Sequence, residues 1–181
     1  MIRIAYLFIF IFLGCNNNPT LPKPKAFLYK EFTKPNYKIY KNECGYSLDV
    51  NMTSIVNSNG CNLNLYNEEF KSTIFISFLK INNNLDLIKS DFNIKINENS
   101  KNAFFVNTSE YSDPKKRVFA KYFSFTGNTP ANTHFFITDS VSSFLTGSLY
   151  FESKPNYDSL IPYINYTNND IRKMIQSFQW N

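Results

Sequence analysis

The sequence has few of the residues on which most catalytic and metal sites depend. Its 181 residues include one histidine (His134), one tryptophan, five glycines and three cysteines. One histidine cannot form a ligand pair, so a metal site is not expected. The glycines are dispersed, which excludes a glycine-rich phosphate loop, and no serine lies in a G-x-S-x-G elbow. The sequence therefore predicts no metal, no cofactor and no enzymatic activity.

Only the acidic residues leave a catalytic hypothesis open. Four carboxylates occur late in the sequence, at Asp139, Glu152, Asp158 and Asp170. Two of them would have to lie within about 5–10 Å in a cleft to form the acid pair of a glycoside hydrolase. Asp158 is better explained as a helix cap, and Asp170 as part of a solvated helix face. His134 belongs to an alternating strand, where a lone histidine is usually structural. A cell-wall hydrolase is therefore the third of three functional hypotheses.

Positive charge is present but scattered. The formal net charge is +5, and the densest basic cluster is Lys115-Lys116-Arg117, which lies beside Asp113. A nucleic-acid interface needs basic residues gathered on one face, so nucleic acid is not expected as a partner.

The first fifteen residues carry the features of an export signal. Arg3 precedes an uninterrupted apolar run over residues 4–13. That run is shorter than the roughly 20 residues of a bilayer span but fits the apolar core of a signal peptide. The ending Phe12-Leu13-Gly14-Cys15 resembles a bacterial lipobox, although Phe12 replaces the usual leucine. This resemblance implies a signal peptide over residues 1–14 and acylation of Cys15, with palmitate among the attached lipids. An ordinary secretory signal or a short membrane anchor is the alternative.

Residues 15–25 are predicted to tether a folded domain to the membrane. Three prolines between residues 16 and 25 favour an extended chain. The residues that follow Cys15 lack the acidic patch of surface-exported Bacteroidetes lipoproteins, which favours the periplasm. Which of the two envelope membranes holds the lipid is left open.

Two further cysteines, Cys44 and Cys61, form an even pair once Cys15 is lipidated. In an oxidising compartment such a pair predicts a disulfide, which would stabilise the fold by roughly 3 kcal/mol on the chain-entropy model. A pair of free buried thiols is the alternative.

Hydrophobic periodicity predicts an α+β fold. Alternation over residues 27–32, 46–50 and 61–66 is typical of strands, and so is the wealth of β-branched and aromatic residues over residues 72–79. Residues 118–125, 134–138 and 144–151 are three further predicted strands. Apolar residues three or four apart over residues 83–96 indicate an amphipathic helix. A long C-terminal helix is predicted to begin at Asp158, with Pro162 in its first turn. Its apolar stripe comprises Leu160, Ile164, Ile171, Ile175 and Phe178. The predicted fold is a mainly antiparallel sheet packed with both helices in one domain, residues 26–181. A PsbP-like α/β sandwich is an analogy for this arrangement.

Two tripeptides resemble the acceptor of periplasmic O-glycosylation in Bacteroidetes. They are Asp139-Ser140-Val141 and Asp158-Ser159-Leu160. The second also suits a helix cap, so Ser140 is the candidate for modification.

Several longer stretches are similar to the gliding motility lipoprotein GldD family. The similarity is strongest over residues 134–180, weak over residues 82–116, and includes Cys44 and Cys61. The stretches that carry it are PKPKAFL (22–28), HFFITDS (134–140), FLTGSLYF (144–151), PNYDSLIP (155–162) and DIRKMIQSFQW (170–180). Thr146 and Gln179 depart from the family pattern, since basic residues are expected at both positions.

The resemblance implies a cell-envelope lipoprotein that serves gliding motility and type IX protein secretion without known catalytic activity. The first hypothesis is thus a non-enzymatic scaffold that docks onto other gliding or type IX secretion proteins. Its docking surface would consist of exposed aromatics on one sheet face. The candidates are Phe123, Phe125, Tyr150 and Phe151, each of which core packing would also explain. The alternative is a periplasmic lipid- or glycan-binding module, which requires a concave apolar cavity of a few hundred Å³ with convergent polar groups.

Overall fold

The computed structural model describes residues 31–152 and 156–181. This part of the chain forms ten strands and two helices. The strands are β1 (Tyr37–Asn42), β2 (Tyr46–Asn51), β3 (Ile55–Asn59), β4 (Asn62–Asn67), β5 (Ser72–Lys80), β6 (Phe105–Asp113), β7 (Val118–Thr126), β8 (Thr133–Thr138), β9 (Ser143–Phe151) and β10 (Gln179–Trp180). The helices are α1 (Leu85–Ser100) and α2 (Tyr157–Ser177). The predicted α+β class, with a middle and a C-terminal helix, is confirmed.

Seven strands form one antiparallel sheet in the order β3-β4-β5-β9-β8-β7-β6. Two meanders, β3 to β5 and β6 to β9, meet where β5 pairs with β9 along nine residues. β5 is rich in β-branched and aromatic residues (STIFISFLK), which suit the pleated surface of a sheet. Strands β1, β2 and β10 form a separate three-stranded antiparallel sheet.

The main core lies between the large sheet, helix α2 and strand β2. Leu149 and Leu145 of β9 are fully buried there, together with Ile171 of α2 and Tyr46 of β2. The Tyr46 ring stacks on Phe178 with ring centroids 5.8 Å apart. Burial of this apolar surface is the dominant favourable contribution to folding.

Helix α1 covers part of the opposite sheet face. Phe92 and Ile96 of α1 are buried against Phe123 and Phe125 of β7. This second, smaller cluster explains why the helix forms although most of its other side chains are exposed.

Gly147 marks the tightest packing inside the large sheet. It lies opposite Phe135 in the register of β8 and β9. A methyl group at position 147 would overlap the ring of Phe135. Glycine therefore lets this fully buried ring lie flat on the neighbouring strand.

The predicted disulfide is present and joins the two sheets. Cys44 lies in the turn between β1 and β2, and Cys61 lies beside the turn between β3 and β4. The hydroxyl of Tyr46 donates a hydrogen bond to the Cys61 carbonyl at 2.9 Å. The small sheet is thereby fixed to the edge of the large one.

Three expectations for helix α2 need correction. The helix begins at Tyr157 after Asn156, so Asp158 lies in the first turn and is not the cap. Pro162 consequently lies inside the helix, where its missing N–H removes one helix hydrogen bond. Asp170 is 7% exposed and does not lie on a solvated face. Its carboxylate accepts hydrogen bonds from Tyr37 Oη at 2.7 Å and Asn51 Nδ2 at 2.9 Å.

The strand predictions have a mixed outcome. Six of the predicted strands correspond to β2, β4, β5, β7, β8 and β9. The sequence did not predict β1, β3, β6 or β10. Residues 27–30 lie outside the described residues, and residues 31 and 32 are not part of a strand.

Candidate functional site

A polar cleft separates helix α2 from the end of strands β6 and β7. Its volume is about 490 Å³. The residues that line it are Asn107, Thr108, Ser109, Tyr122, Ser124, Thr126, Tyr157, Asn165, Asn168, Asn169 and Arg172. Amides and hydroxyls dominate this lining, and among the described residues Arg172 is the one formally charged side chain in it.

The cleft forms because one face of β7 changes character along its length. Val118 and Ala120 are buried under α2, whereas Ser124 and Thr126 continue the same face with hydroxyls. On the neighbouring edge strand, Asn107 pairs with Ser124. At the end of β7 helix α2 therefore faces polar side chains instead of the apolar ones that it covers near Val118, and a polar gap separates the helix from the sheet.

Tyr122 and Arg172 lie where the cleft meets the core. The Arg172 guanidinium lies 5.4 Å from the centre of the Tyr122 ring, a cation–π contact. Burial raises the pKa of the Tyr122 hydroxyl, and the hydroxyls of Thr133 and Ser124 oppose this rise. Despite those neighbours, the Tyr122 oxygen has no hydrogen bond of ordinary geometry within the described part of the chain. A buried hydroxyl without a partner carries a desolvation cost that a bound polar group would relieve.

A smaller and more apolar space of about 140 Å³ adjoins the cleft. It shares Ser109, Tyr122 and Arg172 with the cleft and adds Tyr111 and Ile175. Together the two spaces offer hydrogen-bonding groups next to an apolar wall, which is the arrangement that a sugar with polar and apolar faces requires.

A second feature is the open sheet face, defined by Ile55, Tyr66, Phe75, Leu79 and Tyr150. These residues share the face that α1 covers farther along the sheet. Ile55, Phe75 and Leu79 are 48%, 43% and 40% exposed. The rings of Phe75 and Tyr150 meet edge to face at 5.8 Å. Exposed apolar side chains gathered on one face are typical of interaction sites.

The four predicted docking aromatics do not form one surface. Phe123 and Phe125 are 8% and 1% exposed beneath α1, so their proposed docking role is corrected: they are core residues. Tyr150 is half-buried on the open sheet face, whereas Phe151 is half-buried on the opposite face against the main core. The sequence did not indicate Phe75, because its strand reads as buried throughout.

His134 is part of the interior. It is 1% exposed, and its Nδ1 lies 2.7 Å from the Ser148 hydroxyl. Burial, and to a lesser extent the charge of Lys95, lowers the pKa of His134 to about 4. The neutral imidazole thus serves packing and a hydrogen bond, as expected of a lone strand histidine.

The late carboxylates occupy separate local environments. The carboxylate of Asp139 closes the turn between β8 and β9 by accepting the backbone N–H groups of residues 141–143. Burial opposes the change, but these bonds and the Ser142 hydroxyl lower the pKa of Asp139. Burial raises the pKa of Asp170, against the effect of its hydrogen bonds from Tyr37 and Asn51. None of Asp139, Glu152, Asp158 and Asp170 lines the polar cleft.

Ser140 is exposed in that same turn and adopts a positive φ of 64°. Its modification stays a prediction. Cys15 and the predicted tether lie outside the described residues.

Residues 31–152 and 156–181 contain no group of three or more histidine, cysteine or acidic side chains placed to hold a metal ion. Neither of the helices described is long and apolar enough to span a membrane.

Comparison with known proteins identifies one family. The family model described as gliding motility lipoprotein GldD matches residues 17–180. The match covers nearly the whole chain and confirms the similarity observed in the sequence. No curated protein matches this chain.

Proposed function

Because this chain belongs to the gliding motility lipoprotein GldD family, we propose that it is a non-enzymatic scaffold of the gliding and type IX secretion machinery. The family establishes a lipoprotein of the cell envelope that is associated with gliding motility and attached to a membrane. The finer assignment comprises lipidation at Cys15, a tether over residues 15–25 and one domain over residues 26–181 that faces the periplasm. The match over residues 17–180 is the observation that carries this proposal.

The open sheet face supports a docking role. Phe75 and Leu79 project from the same side of β5, and Ile55 lies on the neighbouring edge of the sheet. Each of these side chains exposes more than a third of its surface. Interface cores are enriched in aromatic residues, and the Phe75 ring, in contact with the Tyr150 ring, is the aromatic centre of this face. We therefore assign partner contact to this face.

Crosslinking in the native envelope tests the proposal. The tagged protein is purified from crosslinked cells as wild type, as Cys15→Ala and as Phe75→Ser combined with Leu79→Ser. Ile39→Ser is the matched control, because Ile39 is 70% exposed on the small sheet. We expect motility or secretion components to be recovered with wild type and the control, and to be lost with both test variants. Recovery of the same partners with the double serine variant would refute the assignment of the docking surface.

A second candidate function is glycan binding at the polar cleft. The alternative of a lipid site requires an apolar cavity, whereas amides and hydroxyls line this cleft. Side-chain amides, an arginine and a tyrosine are groups that hydrogen-bond and stack on sugars. The single positive charge of Arg172 is compatible with a neutral or acidic glycan.

Calorimetric titration with soluble peptidoglycan fragments tests this candidate. We expect binding by the wild-type protein and at least tenfold weaker binding after Asn107→Ala or Asn169→Ala. Asn57→Ala provides the control, since Asn57 is exposed on a strand at the other edge of the sheet. Absence of heat with the wild-type protein, or equal affinity for all three variants, would eliminate the cleft as a site for these glycans.

A further inference from the structure

Phe104 and Phe105 are the two most exposed large apolar side chains in the described part of the protein. They are 78% and 72% exposed; Phe104 ends the short connection from α1 to β6, and Phe105 is the first residue of β6. Two adjacent aromatic rings in this position contribute little to the core.

The backbone that carries the two rings is fixed. The N–H of Phe104 donates to the Thr126 carbonyl at 2.7 Å, and the N–H of Ala103 donates to the Ser100 carbonyl at 3.0 Å. Gly127 has a φ of +122°, and a Cβ there would lie 3.2 Å from the Phe104 ring. The turn therefore depends on glycine and holds Phe104 in place. The rings project from an ordered segment.

The two rings lie at the end of the strands near which the described chain begins. Phe105 pairs with Thr126, the last residue of β7. At the same end of the large sheet β5 begins, where Ser72 pairs with Phe151. The turn that leads into β5 contains Phe70, whose ring packs against Phe32 at a centroid distance of 5.4 Å. The first described residues and the exposed aromatic pair therefore lie at the same end of the strands, here called the entry edge.

We propose that the entry edge faces the membrane to which the protein is anchored, and that Phe104 and Phe105 insert into the lipid interface. The inference rests on the membrane attachment stated for the family. Cys15 and Glu31 are sixteen positions apart in the sequence, and an extended chain of that length spans at most about 55 Å. The anchor therefore keeps the domain within that distance of the bilayer, and the part of the domain nearest to the anchor along the sequence is the end at which the described chain begins.

The described residues of the entry edge favour binding to lipid through insertion of aromatic rings and not through electrostatic attraction. Aromatic rings are favoured at the boundary between headgroups and acyl chains, and binding there increases with the apolar area buried. Lys71 and Lys101 are exposed near this edge, but so are Glu68, Glu69 and Glu152. The contact should therefore form on zwitterionic lipid and persist in high salt.

Fluorescence quenching by brominated lipid tests the orientation. The acylated full-length protein is reconstituted into phosphatidylcholine vesicles as Phe104→Trp combined with Trp180→Phe. The matched control is Val141→Trp in the same background, because Val141 is 63% exposed in the turn between β8 and β9, at the opposite edge. Brominated lipid should quench the indole at position 104 by at least half and leave the control nearly unchanged. Adding Phe105→Ser should weaken the quenching at 104 about twofold.

The native tryptophan provides a second reporter if Trp180→Phe prevents folding. Its Nε1–H donates to the carbonyl of Arg117, in the turn at the far end of β6 and β7. Phe104→Trp in the chain that keeps Trp180 should then lose roughly half of its total emission. Vesicle flotation distinguishes failure of the membrane anchor from failure of the proposed orientation. A protein that does not float refutes the membrane anchor, whereas one that floats without quenching at position 104 refutes the orientation.

Discussion

The lowered pKa of His134 predicts that the free energy of unfolding decreases as the pH falls. The unfolded chain takes up a proton on this imidazole near pH 6.5, whereas the folded protein does so only near pH 4. The folded state therefore binds fewer protons than the unfolded state between these values. Linkage then requires the free energy of unfolding to fall as the pH is lowered through this window.

The magnitude follows from the difference between the two pKa values. Each pKa unit corresponds to about 1.4 kcal/mol, so the complete effect below about pH 4 is roughly 3 kcal/mol. Between about pH 7.5 and pH 5 the expected loss is about 2 kcal/mol. That loss is a large fraction of the 5–15 kcal/mol by which domains are usually stable.

Urea unfolding of a non-lipidated chain that begins at residue 16 measures this loss. The variant His134→Asn retains a polar atom that can reach the Ser148 hydroxyl but cannot be protonated, and its stability should be nearly 2 kcal/mol less sensitive to pH. Asp170 acts in the opposite direction: its pKa is raised on folding, so its protonation as the pH falls increases the free energy of unfolding. Asp170→Asn should therefore steepen the loss of stability towards acid pH, in the range just above the ordinary pKa of a carboxyl group. An unchanged pH slope in His134→Asn would refute the reasoning.

Three further predictions concern packing, covalent linkage and a buried hydrogen bond. Gly147→Ala should destabilise the protein by about 3 kcal/mol in urea unfolding, since the new methyl group overlaps the ring of Phe135. Combining it with Phe135→Leu should recover more than about 1 kcal/mol of the summed effects, and strict additivity would contradict the packing argument. Replacing Cys44 and Cys61 together by serine should cost about 3 kcal/mol, and an equal loss should follow reduction of the wild-type protein. Tyr37→Phe removes one of two hydrogen bonds to a buried carboxylate and should cost about 2 kcal/mol; a thermal melt that does not shift would rule this out.

The strands that the sequence pattern did not predict share a position in the fold. β1, β3, β6 and β10 are the edges of their sheets. An edge strand with two exposed faces has no buried side to impose an alternation of apolar and polar residues. β6 is the clearest case, since seven of its nine residues are exposed. By contrast, the sequence of β4 alternates because only one of its faces contacts the core.

Burial of Asp170 was missed for a related reason. A helical wheel places this residue beside the apolar stripe of α2, where position alone does not distinguish a solvated carboxylate from a covered one. The small sheet covers that side of the helix with Tyr37 and Asn51. Neither the small sheet nor the cleft could be predicted, because their residues come from distant segments of the chain.

Pairing of β10 with β2 sets the order in which this molecule is completed. Ser47 donates to the side chain of Asn181, 134 residues later, and Trp180 pairs with Tyr46. Both structures that cover β2, strand β10 and helix α2, therefore come from the last quarter of the chain. Until they have docked, β2 exposes the tyrosine that is fully buried in the finished fold. A chain truncated before residue 157 should consequently expose apolar surface and aggregate.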